Sequence, residues 1–350
     1  MSKRNESFKI ERIPLEDNPD FNAYLDQQYD PVEIEGGQYK PSEVLNAVDP
    51  DAYRSALEEY RNHQAEQFQH AIFDEFPNPI AYNYYKAMRG YENERQRLDC
   101  LRDAWEALIY LLYAIVVGEF RSLGLTFDGA KVFTGPTQQK PLHFEHFMSD
   151  KINDKIGIME GLLRQAADQG VKLVCADLVK DDVLTALREL NRKRNGFSHS
   201  SALSEREAQD QFISSAEIFL ALLRRVADLQ SIRLFRYQRS ASHALECRFE
   251  DFSGHATTRK FNTLTLNTAQ FQKCAKYLNP DTIVIKIGES IYGVSPIVYF
   301  VQRGGDSRLC FYKQNRNGQY LYSVVGESEQ VPILEKTIAD QFAALRELCH

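Results

Sequence analysis

Arg192-Lys193-Arg194-Asn195-Gly196-Phe197-Ser198-His199-Ser200 separates two runs of helical sequence and decides how the middle of this chain is read. A link between helices needs only a few polar residues. This one brings together a permanent cation and a titratable imidazole, Arg194 and His199, with four residues between them. Upstream, Asp181-Asp182 opens the run VLTALRELNRKR. That helix is expected to end near Arg192, where the macrodipole favours cations, and Asn195-Gly196 reads as the turn after it. Downstream, Ser204 and Glu207 form a capping box at the head of a last long helix. Its spacing puts Phe212, Ile213, Ala216, Phe219, Leu220 and Leu223 on one face.

Further out, helical spacing extends from about Tyr82 to Leu229. Leu101, Trp105, Leu108, Leu112 and Ile115 mark one long helix that reaches about Ser122. Residues 107–117 of that helix are the longest apolar run, too short for the roughly 20 residues of a membrane span, so they read as a buried or an interface helix. GLTFDGAKVFTGPTQQKP reads as a loop with one short extended piece. FEHFMSDKINDKIGIMEGLLRQAADQG reads as helix again, with Gly170 as its cap.

Beyond Leu229 the segments SIRLFRYQ, LECRFEDF, RKFNTLTL, TIVIKIG, IYGVSPIVYFVQ and RLCFYKQNRNGQYLYSVV are β-branched, aromatic and punctuated by turn residues. Asn317-Gly318 predicts a type I′ hairpin, RGGDSR a turn, NTAQFQKCAKYL a short helix and LEKTIADQFAALREL a closing one. At the other end, the first thirty residues are polar and look poorly ordered or draped on something else. VEIEGGQYK predicts a hairpin around Gly36-Gly37, and Asp49-Pro50 caps a following helix that FPNPIA closes off. The fold class is therefore α+β. It comprises a small acidic N-terminal α/β segment (1–80), a central all-helical bundle (81–231) and a C-terminal antiparallel β-rich domain with a closing helix (232–350).

With 43% hydrophobic and 26% charged residues, the composition is that of a globular protein. The net charge of −7 is concentrated at the start, where residues 1–90 hold nine Lys/Arg against seventeen Asp/Glu. Global charge therefore gives no sign of a nucleic-acid binder and leaves that role to local clusters. The six cysteines include no C-x-x-C pair, which points to reduced thiols, and the N-terminus lacks an apolar leader; the expected location is the cytoplasm.

Arg194-Asn195 followed by His199 gives R-N-x-x-x-H, placed just before the last helix of a four-helix order. In this, residues of about 90–230 resemble the HEPN superfamily (higher eukaryote and prokaryote nucleotide-binding domains), small all-helical domains many of which are ribonucleases. The central bundle is thus expected to be HEPN-like. Of the other matching spacings, Arg192/His199 lacks an asparagine after its arginine, and Arg236/His243 and Arg248/His255 lie in the β-rich part. The resemblance implies a metal-independent endoribonuclease without cofactor, a bacterial toxin or antiphage (abortive infection) effector acting on tRNA or other RNA. It also implies a homodimer that joins two motifs across a two-fold axis, to which residues 107–117 are a candidate contact, and an antitoxin or phage-derived trigger as a further partner. Members silenced by a nucleotidyltransferase carry Tyr two residues after the histidine. Ser201 stands there in this chain, so adenylylation at that position is not implied.

The residue types suit the chemistry. RNA supplies its own nucleophile, the 2′-hydroxyl, so an enzyme need only move protons and stabilise an anionic phosphorane. Histidine moves protons near neutral pH, and arginine grips phosphate oxygens through a planar fork. Arg194 and His199 are the expected catalytic pair and Asn195 their support, with Glu106 a polar residue from a neighbouring helix that would point toward them. Arg192, Lys193, Arg224 and Arg225 are candidates for holding the RNA backbone, and Arg233, Arg236 and Arg239 would extend that track. An exposed charge on an amphipathic face is the plainer reading of Glu106, and a solvated surface that of the arginines. His143 and His146 lie three residues apart, but with no third ligand in sight they read as a helix start, and no metal is assigned. The alternative to the enzyme is a non-catalytic HEPN scaffold or sensor that binds nucleic acid or nucleotide and assembles with partner proteins.

Overall fold

A computed structural model describes residues 18–134, 138–197, 203–240, 245–258 and 260–349. They fall into two compact units, the first ending at His70 and the second beginning at Ala71. The architecture is an N-terminal α/β segment, a mostly helical centre and a C-terminal region of antiparallel sheets.

The first unit contains α1 (Pro19–Gln28), the hairpin β1 (Val32–Ile34) and β2 (Gly37–Tyr39), α2 (Pro41–Val48) and most of α3 (Pro50–Asp74). Of the two expectations for the start of the chain, poor order fails over residues 19–28, which instead lie against another element. Asn18 accepts the Phe21 N–H, Pro19 presets the first turn, and Phe21 and Leu25, one turn apart, are buried with Tyr53 and Leu57 of α3. Residues 1–17 of that expectation lie outside the described residues. The hairpin turns on Glu35-Gly36, both at positive φ, one residue earlier than expected.

The second unit opens with α4 (Asn78–Arg89), which takes Pro79 into its first turn, and α5 (Glu94–Ser122). There follow the hairpin β3 (Lys131–Phe133) and β4 (Gln139–Pro141), α6 (Phe144–Met148), α7 (Ile152–Asp168), α8 (Asp181–Phe197) and α9 (Glu205–Arg225). The single helix expected after Pro141 is two, because Ser149 accepts the Lys151 N–H and its hydroxyl bonds Asp154, starting α7 afresh. Gly170, at φ +70°, ends that helix as expected.

The remaining strands are β5 (Arg233–Ser240), β6 (Glu246–Asp251), β7 (Lys260–Thr265), β8 (Ile283–Ile287), β9 (Ser290–Gly293), β10 (Val298–Arg303), β11 (Asp306–Arg316), β12 (Gln319–Val324) and β13 (Gln330–Ile333), with α10 (Thr268–Cys274) between β7 and β8 and α11 (Lys336–Glu347) at the end. They form two antiparallel sheets, ordered β7-β6-β5-β8-β9 and β10-β11-β12-β13. Asn317-Gly318 makes the β11–β12 turn with both residues at positive φ, as the sequence predicts.

At the centre lies α5, against which α4, α7, α8 and α9 pack from one side and β9 and β10 from the other. Residues 107–117 are at most 4% exposed. They are therefore enclosed within the chain itself, and the expectation that they face a second copy is corrected. The sheets cover what a lone bundle would have left open: Tyr110 meets Phe311 with ring centroids 5.7 Å apart. At Gly118 an added Cβ would lie 2.9 Å from the carbonyl oxygen of Gly293. Among described residues no helix is long and apolar enough to cross a membrane.

Two further features fix the layers. The first is a glycine pair on α7. Modelling a Cβ onto Gly157 or Gly161 puts it 2.3 Å from the Phe133 oxygen or 1.7 Å from the Lys131 oxygen, so β3 rests directly on the helix backbone. The second is Lys155, fully buried, whose ammonium donates to the Phe147 carbonyl at 2.9 Å and sits 4.9 Å from the centre of the Tyr113 ring. Burial pushes it down to about 7, with Asp154 and Asp150 opposing and Lys313 assisting.

Gly161→Ala should destabilise the protein by about 1–3 kcal/mol, because strand β3 must lift off α7. Unfolding in urea checks this, and an unchanged midpoint would refute the close packing. The lysine gives a pH test. Between its folded value of about 7 and its ordinary 10.5, the unfolded chain holds the extra proton, so this group's penalty shrinks as pH rises. Lys155→Met should therefore be more stable than wild type at pH 6.5, and that advantage should narrow by more than about 1 kcal/mol at pH 9.5. An advantage that does not vary with pH would contradict it.

Candidate functional site

Helix α8 does not stop near Arg192. It runs to Phe197, so Asn195 and Gly196 are helical and do not form the expected turn. Part of the reason is an anchor in the last turn. Arg194 Nε donates to Glu106 Oε1 at 3.0 Å and Nη2 to the same oxygen at 2.5 Å. A cation there also meets the carbonyl end of the helix dipole. Glu106 projects from the middle of α5, so the polar residue selected from the neighbouring helix does reach Arg194.

A third group completes the contact. Lys313 Nζ donates to Glu106 Oε2 at 2.6 Å, and the same ammonium lies 4.3 Å from the centre of the Tyr110 ring. Lys313 stands at a β-bulge: Tyr312 pairs with Tyr322 and Gln314 with Leu321, leaving Lys313 as the extra residue. Lys313 shares the strand face of Phe311, whose ring meets Tyr110, and its ammonium points to the same helix, α5. Each oxygen of Glu106 therefore faces its own cation, one from a helix and one from a sheet. Sequence reasoning missed Lys313. The signal was present in the alternation Leu309, Phe311, Lys313, which places a charge on the strand face that carries buried residues.

The electrostatics follow from this enclosure. Burial alone would raise the Glu106 carboxyl, but the Lys313 ammonium and the Arg194 guanidinium outweigh it and hold the group below the ordinary carboxylate range. Burial likewise works against the Lys313 ammonium, and Tyr110 and Glu106 reverse that. One turn earlier on α5, Asp103 lies 3.5 Å from the guanidinium of its neighbour Arg102. Its restricted surroundings push it up to about 6, with Arg102 pulling down and Glu106 pushing up, although half of its side chain touches solvent. Asp103, Glu106, Tyr110 and Lys313 line a shallow cleft closed by the Val324–Gly326 backbone and Glu327.

The other residues singled out in the sequence fall as follows. His199 lies outside the described residues, and Asn195 is placed through its backbone alone. The head of α9 carries the expected capping box, Ser204 with Glu207. Its inward row is Ala208, Phe212, Ser215, Phe219 and Leu222, and Ile213 faces solvent, since a strict helical period passes it by. Arg192 is exposed and Lys193 half-buried, both one turn or less from Arg194. Arg224 and Arg225 are exposed at the far end of α9. Arg225 approaches Asp182, which is twelve residues, or about 18 Å of helix, from Arg194. These two arginines and the Arg194 pair are not brought together.

Two members of the proposed arginine track are structural. Arg236 stacks on Phe300 at 3.8 Å and lies 3.5 Å from the buried Glu250, while Arg233 donates to the Glu75, Gln230 and Ile232 carbonyls. The Arg239 side chain lies outside the described residues. His143 and His146 build a capping box on α6, with the His143 N–H donated to His146 Nδ1 at 2.9 Å. Among described residues no group of three or more metal-ligating side chains converges. His255 stacks on Tyr85 at 4.1 Å and approaches the Phe73 carbonyl, bracing the α3–α4 corner. Glu119, near the end of α5, accepts the N–H groups of Val174 and Cys175 and caps a short 3-10 turn.

Removing Glu106 would leave two poorly solvated cations facing each other. Glu106→Ala should therefore cost roughly 2–4 kcal/mol. The pair Glu106→Ala with Lys313→Met should be less damaged than Glu106→Ala alone, because the second change removes one stranded cation. Urea denaturation of the three variants reads this directly, and strictly additive losses would show that the charges do not share one site.

No protein-family model matches the chain, and neither a curated protein nor a solved structure does.

Proposed function

We propose that this protein is a metal-independent endoribonuclease of HEPN type. The observation that supports it most is the Arg194–Glu106 pair: the motif arginine is held, in the last turn of α8, by a carboxylate from the central helix of the helical region. A guanidinium fixed through Nε and one Nη keeps its plane set, which lowers the cost of gripping a phosphate in a planar fork. The head of α9, with its partial positive charge, follows the motif in sequence. In this reading His199 takes the 2′-hydroxyl proton while the O2′–P bond forms. Arg194 stabilises the phosphorane, and the P–O5′ bond breaks with a proton returned to the leaving oxygen. The products are a 2′,3′-cyclic phosphate and a 5′-hydroxyl end. Asn195 would support the pair, and Arg192 and Lys193 would hold adjoining phosphates.

A single arginine and histidine form a sparse centre, and the resemblance supplies the rest. Two copies would join their motifs around a two-fold axis, using surfaces at the C-terminal end of α8 rather than the enclosed residues 107–117. A toxin or antiphage role against tRNA or other RNA, restrained by an antitoxin or released by a phage-derived trigger, belongs to the same reading and rests on fold-level analogy. One observation favours the scaffold alternative: two of the arginine's nitrogens are already engaged by Glu106, which is also how a purely structural arginine is held.

The test incubates full-length protein with total RNA in EDTA beside Arg194→Ala and His199→Ala. Cleavage leaving cyclic phosphate ends is expected, with either substitution lowering the rate by about 100-fold or more. Intact RNA with all three proteins, together with equal RNA affinity, would establish the scaffold in its place.

A further inference from the structure

We infer that Lys313 is a positioning residue for Arg194, so that the C-terminal sheet completes a site which the helices begin. This rests on reading Arg194 as the phosphate-gripping residue. Lys313 does not itself offer a cation to a substrate. Its side chain is 14% exposed, its ammonium is engaged by Glu106 and seated over Tyr110, and it stands at the bulge in β11. What it does is hold the far oxygen of a carboxylate whose near oxygen holds Arg194. A carboxylate gripped at both oxygens cannot rotate about its last bond, and the guanidinium plane is fixed with it.

Charge works in the same direction. The groups facing Glu106 are Arg194 from α8, Lys313 from β11, and Asp103 and Tyr110 from its own helix, with Arg102 beside Asp103. Of the two cations Lys313 exerts the stronger pull on the Glu106 carboxyl, with Arg194 next. Without it, burial acts on a carboxylate with one cation fewer, and protonation at mildly acid pH weakens the hold on Arg194. A region remote in sequence thus controls whether the arginine is aimed, and anything that shifts β11 against α5 is felt at Arg194.

The experiment uses the full chain with Lys313→Met, Lys313→Gln and Lys313→Arg, two neutral variants guarding against one that fails to fold. The first readout is hydrogen exchange of the Arg194 Nε–H by NMR, its resonance identified by its absence from Arg194→Lys. The neutral variants should accelerate that exchange by about tenfold or more at pH 7, and further at pH 5 as Glu106 takes up a proton; Lys313→Arg should restore it. The second readout is RNA cleavage, where kcat should fall by about tenfold or more with KM within about twofold. Arg194 exchange that is the same in the neutral variants and wild type at both pH values would overturn the proposal, whatever happens to RNA. Wild-type protein that leaves RNA intact would overturn the nuclease reading instead, and the exchange result would still decide the link from Lys313 to Arg194.

Discussion

Helix α5 is apolar on every side through its middle, and a helix of that kind is stable only when every side is covered. Four helices cover part of it and the strands the rest, which is why the helical centre and the C-terminal sheets share a compact unit. The same enclosure makes an acid at the edge of that stretch demanding. Glu106 cannot be left unpaired in such surroundings, and it draws one cation from each of the two regions that enclose the helix.

Much of the fold was legible because its signals are local. A cap followed by proline, a capping box, a glycine after a helix and an Asn-Gly pair between alternating strands each act within a few residues, and the structure places Asp49-Pro50, Ser204–Glu207, Gly170 and Asn317-Gly318 in those roles. The misreadings occurred where distant partners decide. The end of α8 was set too early because Arg194 has a partner 88 residues away. Residues 107–117 were read as a possible contact between copies because nothing in their own sequence shows that sheets from beyond residue 232 lie over them. For residues 19–28 the sequence leaves poor order and packing on another element both open, because a two-residue apolar stripe is weak evidence until Tyr53 and Leu57 supply the other half of the core.

The site was half legible. The resemblance alone pointed Glu106 toward Arg194, against the plainer reading of an exposed charge on an amphipathic face, and the two residues do meet. Lys313 required a second signal, the alternation of a strand broken by one extra residue, and bulges leave little trace in composition. The arginines at the end of α9 show how little sequence spacing says about place. They are close to the motif in composition, but an antiparallel pair of helices carries them to the other end of α8.

The bulge at Lys313 makes side-chain direction a matter of counting. Between it and the turn at Asn317-Gly318 lie three residues, Gln314 to Arg316, paired in regular register with β12. Successive residues of a strand alternate in facing, so inserting or deleting one residue there would leave the ladder able to re-pair while sending the ammonium outward. The length of this hairpin arm is therefore itself a specification, and two chains that differ only by one residue in it would share a sheet and differ in the charge presented to the helix beneath.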